Sequence, residues 1–314
     1  MYTKEQHYQI DNVLEFIEVN LDQSLALEQL AKVSTYSPYH FQRLFKGIVG
    51  ETPANYVKRL RLENAAHFLI YEHQIPITQI ALMCGFSSLS YFTATFVANF
   101  QMSPKKWREG GYLERFPREY EDDSKKSKQS RKMEKAHHEH EGYNKFQWLN
   151  LKKVNTAEFP AFTAVKRQSV GPYTEGVPSV WEEIYRFANA RDLVKEDTVM
   201  YGIPKNNPYI TPPEKSRYDC LLPVNDPDKL ALEQERIYHF RGGKHVIYEF
   251  DEPLDYAERN RLIECYSELY SFWLPKSGYK YLANPVELVE AEPIPGTLSL
   301  QCKIKAIALA IEPK

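Results

Sequence analysis

Leu27-Glu28-Gln29-Leu30-Ala31-Lys32-Val33, followed by Thr35-Tyr36-Ser37, is answered 50 residues later by Ile77-Thr78-Gln79-Ile80-Ala81-Leu82-Met83, followed by Gly85-Phe86-Ser87. After a one-residue slip, Phe41, Phe45, Pro53 and Tyr56 recur at a spacing of 51 as Phe92, Phe96, Pro104 and Trp107. The matched positions are apolar or turn-forming, as core and connection sites must be, so the chain carries two copies of one helix-turn-helix unit. The unit between them is a helix of its own. Thr52-Pro53 supplies an N-cap with proline in the first turn, and Tyr56, Leu60, Ala65, Phe68 and Leu69 carry the apolar run to about Ile70. Ser103-Pro104 repeats that start after the second copy.

At about 100° per residue, the second helix of the first copy turns Phe41, Leu44, Phe45 and Ile48 to one side, with Tyr39, Gln42, Arg43 and Lys46 on the other. The outward set is chemically suited to a duplex. Arginine pairs with guanine O6/N7, glutamine with adenine N6/N7, and tyrosine or lysine reaches phosphates. Between residues 30 and 108 there are nine basic and three acidic side chains, a local balance of +6 in a chain of net charge −2. A solvated charged face is what most helices of this kind carry. Two units joined by a stiff helix, however, match successive major grooves about 34 Å apart. In the second copy the face opposite Leu89, Phe92, Phe96 and Phe100 offers Ser90, Tyr91, Ala94 and Ala98. The first unit is therefore expected to read most of the sequence and the second to contribute mainly backbone fit.

The stretch from Ser24 to Glu109, with its closing Cys84-Gly85-Phe86-Ser87, Tyr91-Phe92, Phe96, Phe100, Ser103-Pro104 and Trp107-Arg108, resembles the DNA-binding domain of AraC/XylS transcription regulators. The resemblance implies that Tyr39, Gln42 and Arg43 lie on the base-reading helix. Where that family usually has Arg and then Lys three residues later in the second unit, this chain has Ala94 and Val97.

Three domains of composition follow: 1–112, all helical; 113–145, a charged linker; and 146–314, mixed α+β. The linker is almost free of aliphatic residues and includes Glu121-Asp122-Asp123-Ser124-Lys125-Lys126-Ser127-Lys128, so it has no face to bury. Its His137-His138-Glu139-His140 run is too loosely held for a metal site. Cys84, Cys220, Cys265 and Cys302 are widely spaced and read as small core residues in a reducing cytoplasm. No apolar run approaches the ~18 residues of a membrane span, and the N-terminus lacks a signal-peptide core. No cofactor motif is present.

From Phe146 onward, 24 acidic and 21 basic residues give a net charge of −3, a poor basis for nucleic-acid binding. Strand, helix, strand, strand are expected at Ala161–Gln168, Val177–Ala190, Thr198–Ile203 and Tyr218–Val224. The pattern recurs after about 83 to 85 residues, with Lys244–Phe250, a helix over Tyr256–Trp273, and Ser299–Ala308. Two such halves related by a pseudo-dyad leave a groove. Tyr173, Trp181, Tyr201, Tyr248 and Trp273 are its expected aromatic lining, and Glu287 sits mid-strand in Pro285-Val286-Glu287-Leu288-Val289. A carboxylate among aromatic rings favours an organic cation, through charge and cation–π attraction.

Gly171-Pro172-Tyr173, Trp181-Glu182-Glu183-Ile184-Tyr185, Arg217-Tyr218-Asp219, Gly242-Gly243-Lys244, Trp273-Leu274-Pro275 and Pro285-Val286-Glu287 make the second half similar to the gyrase-inhibitor-like (GyrI-like) effector-binding domain. That resemblance implies a pocket-facing Glu287. The tyrosine usually found two residues later is here Val289. Together the two resemblances reproduce the domain order of Rob-type regulators. They imply a cytoplasmic regulator that binds double-stranded DNA and a small amphipathic or cationic effector, with RNA polymerase as a candidate partner. Activation is the sign the family mostly shows. The competing reading is a small-molecule hydrolase with Glu287 as general base; no Ser-His-Asp set, P-loop or dinucleotide turn accompanies it.

Overall fold

The computed structural model describes residues 2–112, 149–191, 193, 198–224, 237–282, 284–293 and 300–314. The chain divides into two compact units, Met1–Tyr120 and Glu121–Lys314. The expected linker, with its histidine run at His137, His138 and His140, lies outside the described residues. Among the described residues no helix is long and apolar enough to cross a membrane.

Among its described residues the first unit is all helical: α1 (Lys4–Val19), α2 (Leu27–Val33), α3 (Pro38–Val49), α4 (Pro53–Tyr71), α5 (Ile77–Met83), α6 (Leu89–Phe100) and α7 (Pro104–Arg108). Polar caps set the starts. The side chains of Ser37, Thr52, Ser88 and Ser103 each accept from a backbone N–H in the first turn of the following helix. The two copies share a turn in which Thr35 and Gly85 both have positive φ, 61° and 77°. One core gathers Ile10, Val13 and Ile17 of α1, Leu30 and Ala31 of α2, Phe41, Leu44 and Phe45 of α3, and Tyr56 and Leu60 of α4. Phe92, Phe96, Phe100 and Trp107 pack as edge-to-face and tilted ring pairs in the second copy, and the Trp107 indole N–H donates to the Ala66 carbonyl of α4 at 3.1 Å. The central helix is thus buried along both halves of its length because each half closes a different module. Leu89, expected on the inner stripe, is 41% exposed: as the first residue of α6 it lies ahead of the packed turns.

Among its described residues the second unit combines an antiparallel sheet with two α-helices, α8 (Tyr173–Asn189) and α9 (Arg259–Glu268). Its strands are β1 (Asn155–Phe159), β2 (Phe162–Val170), β3 (Met200–Pro204), β4 (Arg217–Pro223), β5 (Ile237–Phe240), β6 (Gly243–Asp255), β7 (Tyr279–Tyr281), β8 (Val286–Pro293) and β9 (Leu300–Pro313). They run in the order β1-β6-β9-β8-β3-β4-β2-β5, with β7 pairing β9. The duplication is explicit in this order. One half contributes β2, β4 and β3, the other β6, β9 and β8, and β3 joins β8 at the centre. The strands expected from alternation are present, and the structure adds the three-residue β7 and, at the two margins of the sheet, β1 and β5. Each of these two marginal strands is short and leads into one half while pairing with the first strand of the other: β1 with β6, β5 with β2. Their two-residue connections meet, and Gly242 (φ 66°) lies so close that a β-carbon would fall 2.7 Å from the Ala161 nitrogen. All four cysteines are buried, and burial pushes the Cys84 and Cys302 thiols up to about 12.

Candidate nucleic-acid interface and buried carboxylate site

On α3 the helical geometry expected from sequence is realised. Phe41 and Phe45 are fully buried, while Tyr39, 79% exposed, and Gln42, Arg43 and Lys46 all face solvent. On α6, Ser90 and Tyr91 are exposed beside Ala94, Val97 and Ala98. Fewer of the nine cations are available at the surface than the count implies, because three of them serve the fold. Arg59 is bridged between Glu51 (2.6 Å) and Glu63 (3.0 Å). Arg108 donates to the Ile75 carbonyl. Arg61 spreads its guanidinium over the carbonyls of Leu21, Gln23 and Gly85 at 2.9, 2.5 and 2.9 Å. A half-buried guanidinium satisfied by carbonyls is a brace, not a phosphate ligand. Lys32, Arg43, Lys46, Lys58, Lys105 and Lys106 are the exposed remainder.

In the second unit Glu287 is completely buried. Residues directly opposite in an antiparallel pair share a face, so the register places Glu287 on the same face as Gly202 and Ile307, and Tyr248, opposite Ile307, on that face as well. The carboxylate accepts from the Tyr218 hydroxyl at 2.6 Å and from the Tyr266 hydroxyl of α9 at 3.2 Å. Behind Tyr218 the bonds have one polarity. The Trp181 indole, which only donates, gives its hydrogen to Tyr256 (2.8 Å). Tyr256 then donates to Tyr218 (2.9 Å), whose own hydrogen goes to Glu287. Three aromatic donors in series therefore end on one carboxylate oxygen and hold it in a fixed orientation. Gly202 makes room for this: a β-carbon there would lie 1.7 Å from the Tyr218 hydroxyl.

The expected lining is only partly assembled. Trp181 joins the chain of bonds, and Tyr173 packs edge-on to Tyr218 at 5.5 Å while its hydroxyl donates to the Arg217 carbonyl. Tyr201 is a correction. It pairs with Leu288, one residue out of step with Glu287, and so belongs to the opposite face of the sheet, where it packs on Phe162 and Phe240 and burial raises the pKa of its hydroxyl. Trp273 also departs from expectation. The helix expected over Tyr256–Trp273 ends as a π-helical turn, Leu269–Trp273, whose wider winding rotates Trp273 off the stripe begun by Tyr266. Its ring instead lies parallel to Tyr279 at 6.3 Å. Tyr248 presents its hydroxyl to the Asn150 backbone N–H (3.3 Å). Tyr218, Tyr256 and Tyr266 were not among the expected site residues. Tyr218 shares a face with Cys220 and Leu222, two and four residues on, in a strand buried on both sides; nothing local marks Tyr256.

Residues 30–110 match the family described as a helix-turn-helix domain, and residues 152–293 match the GyrI-like small molecule binding domain. The chain is 38% identical over 106 residues to the probable transcription factor PqrA of Proteus vulgaris, covering 33% of this chain and 86% of that protein. It is 41% identical over 99 residues to the transposon Tn10 TetD protein of Escherichia coli, covering 32% and 71%. Among solved structures, an AraC-type transcriptional regulator from Chromobacterium violaceum is 29% identical over 34% of this chain and 94% of its own, with a TM-score of 0.32.

Proposed function

Because this chain belongs to the AraC-type DNA-binding transcription regulators and carries a GyrI-like small-molecule binding domain, we propose that it is an effector-responsive activator whose ligand is an amphipathic organic cation. Residues 1–112 bind DNA, 113–145 link, and 146–314 sense. It works in the cytoplasm, with RNA polymerase as the partner that activation requires. Tyr39, Gln42, Arg43 and Lys46 meet the first major groove; Ser90 and Tyr91 meet the next. The observation that carries the sensing half is Glu287, fully buried between tyrosine hydroxyls. A buried carboxylate carries a desolvation cost that a cationic ligand offsets, and the aromatic faces of Tyr173, Trp181, Tyr218 and Tyr266 add to the attraction. In this reading Tyr248 acts from the same face, and Tyr201 and Trp273 lie outside the pocket.

The geometry also supports a route by which the ligand is felt. Leu149, fully buried, donates its backbone N–H to Glu268 of α9 at 2.8 Å, and Asn150 is held by Tyr248. The entry of the sensing unit is therefore fastened to the helix that supplies Tyr266. A ligand that prefers one position of α9 biases the position of that entry.

Two measurements test the proposal. Rhodamine 6G, a planar lipophilic cation, is expected to bind the full chain in a polarisation titration, and Glu287→Gln to weaken it by about thirtyfold, the equivalent of ~2 kcal/mol for an unpaired buried charge. The anionic dye fluorescein should bind neither. Equal affinity of the two dyes would remove the cationic reading, and turnover of a reactive electrophile that Glu287→Gln abolishes would favour a hydrolase. On a selected duplex, Arg43→Ala is expected to cost about 1 to 3 kcal/mol and Tyr91→Ala less. Similar losses would mean that the two units share sequence reading equally.

A further inference from the structure

The outward faces of the two repeated helices differ in kind. In register, Lys32 of the first copy corresponds to Leu82, Arg43 to Ala94 and Lys46 to Val97. All three replacements are exposed, Leu82 by 62% and Val97 by 39%. The inner side of α6 is anchored by Phe92, Phe96 and Phe100, as α3 is by Phe41, Leu44 and Phe45, so the rotation of the two helices about their axes is the same. What α6 shows outward is the stripe Ser90, Tyr91, Ala94, Val97 and Ala98, and the helix contains no acidic or basic residue along its 12 positions. An apolar stripe alone fits many partners. This one is followed directly by α7, whose Lys105 and Lys106 are exposed, and it stands where the repeat puts the groove-facing helix. Flanking cations match a polyanion better than an apolar protein surface.

We infer that α6 reads thymine through its C5-methyl group, with Ala94, Val97 and Ala98 as the contacting side chains. The thymine methyl is the one apolar feature of the major-groove edge, and small aliphatic side chains are its natural complement. The inference rests on the DNA-binding reading of the tandem units and changes the role of the second one: α6 contributes sequence preference as well as backbone fit. Gln42 and Arg43 then select one half-site by hydrogen bonds, and α6 selects A·T pairs about one helical turn away.

The test uses the full chain and a duplex selected from a randomised pool. The half-site whose preference relaxes in Arg43→Ala marks the α3 side. In the other half, replacing each thymine by deoxyuridine removes the methyl and nothing else. Affinity is expected to fall about fourfold per contacted methyl, the effect of one buried CH₂-sized group. Val97→Ser, at an exposed position, should weaken binding to the thymine duplex and narrow its advantage over the deoxyuridine duplex, with Ala94 and Ala98 keeping the remainder. Unchanged affinity for the deoxyuridine duplex, with binding still steeply salt-dependent, overturns the inference and leaves the DNA-binding reading intact. So does a methyl effect confined to the α3 half. Failure to select any duplex, with no salt dependence, overturns both. Capture of a protein by α6 in place of DNA would appear as loss of that contact in Val97→Ser with duplex affinity untouched.

Discussion

Arg61→Met is expected to cost the helical unit about 3 kcal/mol and to uncouple α3 from α6, although Arg61 lies on neither helix. The guanidinium on α4 reaches the Leu21 and Gln23 carbonyls ahead of α2 and the Gly85 carbonyl in the turn between α5 and α6. One side chain thus ties the central helix to both copies. Hydrogen bonds from a charged donor contribute roughly 1.5 to 3 kcal/mol each, less where solvent competes, and Arg61 is only partly buried, which brings three such bonds to about 3 kcal/mol in total. Thermal unfolding should show a midpoint lower by some 10 °C or more. Arg61→Lys should recover less than half, since a single ammonium does not span a fork of three carbonyls. The functional consequence is separable. At a temperature where both proteins are folded, a duplex with two half-sites should lose affinity and a duplex with one should not. Equal losses on the two duplexes would mean that Arg61 supports stability without setting the spacing.

Gly202→Ala is expected to destabilise the sensing unit by about 3 kcal/mol, at the upper end of what a single added methyl costs in a packed core. The new carbon would sit 1.7 Å from the Tyr218 hydroxyl and 2.4 Å from its ring carbon Cζ, so the ring must move. That ring carries the hydroxyl on which Glu287 depends, and Gly202 is the direct cross-strand neighbour of Glu287. Loss of rhodamine 6G binding should therefore accompany the loss of stability. Tyr218→Phe separates the two effects: it keeps the ring, removes the hydroxyl and leaves one carboxylate oxygen without its donor, a cost of about 1 to 3 kcal/mol. Denaturant midpoints followed by tryptophan fluorescence would decide; a Gly202→Ala protein as stable as its parent, with dye affinity intact, would show that the close approach of Tyr218 is not essential.

What was legible in the sequence was what repeats or alternates over several residues. The helices of the first unit announced themselves through caps such as Thr52-Pro53 and through the recurrence of Phe41 and Phe45 at Phe92 and Phe96. The long strands β6 and β9 were visible through alternation. Glu287 stood out because a carboxylate interrupts an apolar run. The features missed depend on partners distant in the chain. β1 and β5 are five and four residues long, and their strand character comes from pairing with the opposite half. Aromatic type does not carry register: a one-residue step along β3 is enough to put Tyr201 on the side of the sheet away from Glu287. A constant helical period does not carry through the π-helical turn Leu269–Trp273, so the stripe begun at Tyr266 does not extend to Trp273. Net charge overstated the cationic surface, since composition does not tell Arg43, which faces solvent, from Arg61, which fastens carbonyls.

The exchanged pairing of β1 with β6 and β5 with β2 makes the two halves of the sensing unit a mutual embrace, each gripping the other by its leading arm. Neither half owns a complete edge, so a chain cut between them would leave two fragments with bare flanks that find shelter only by recombining. The unit should melt as one body, and a distortion begun at Glu287 in one half has a backbone path straight into the other.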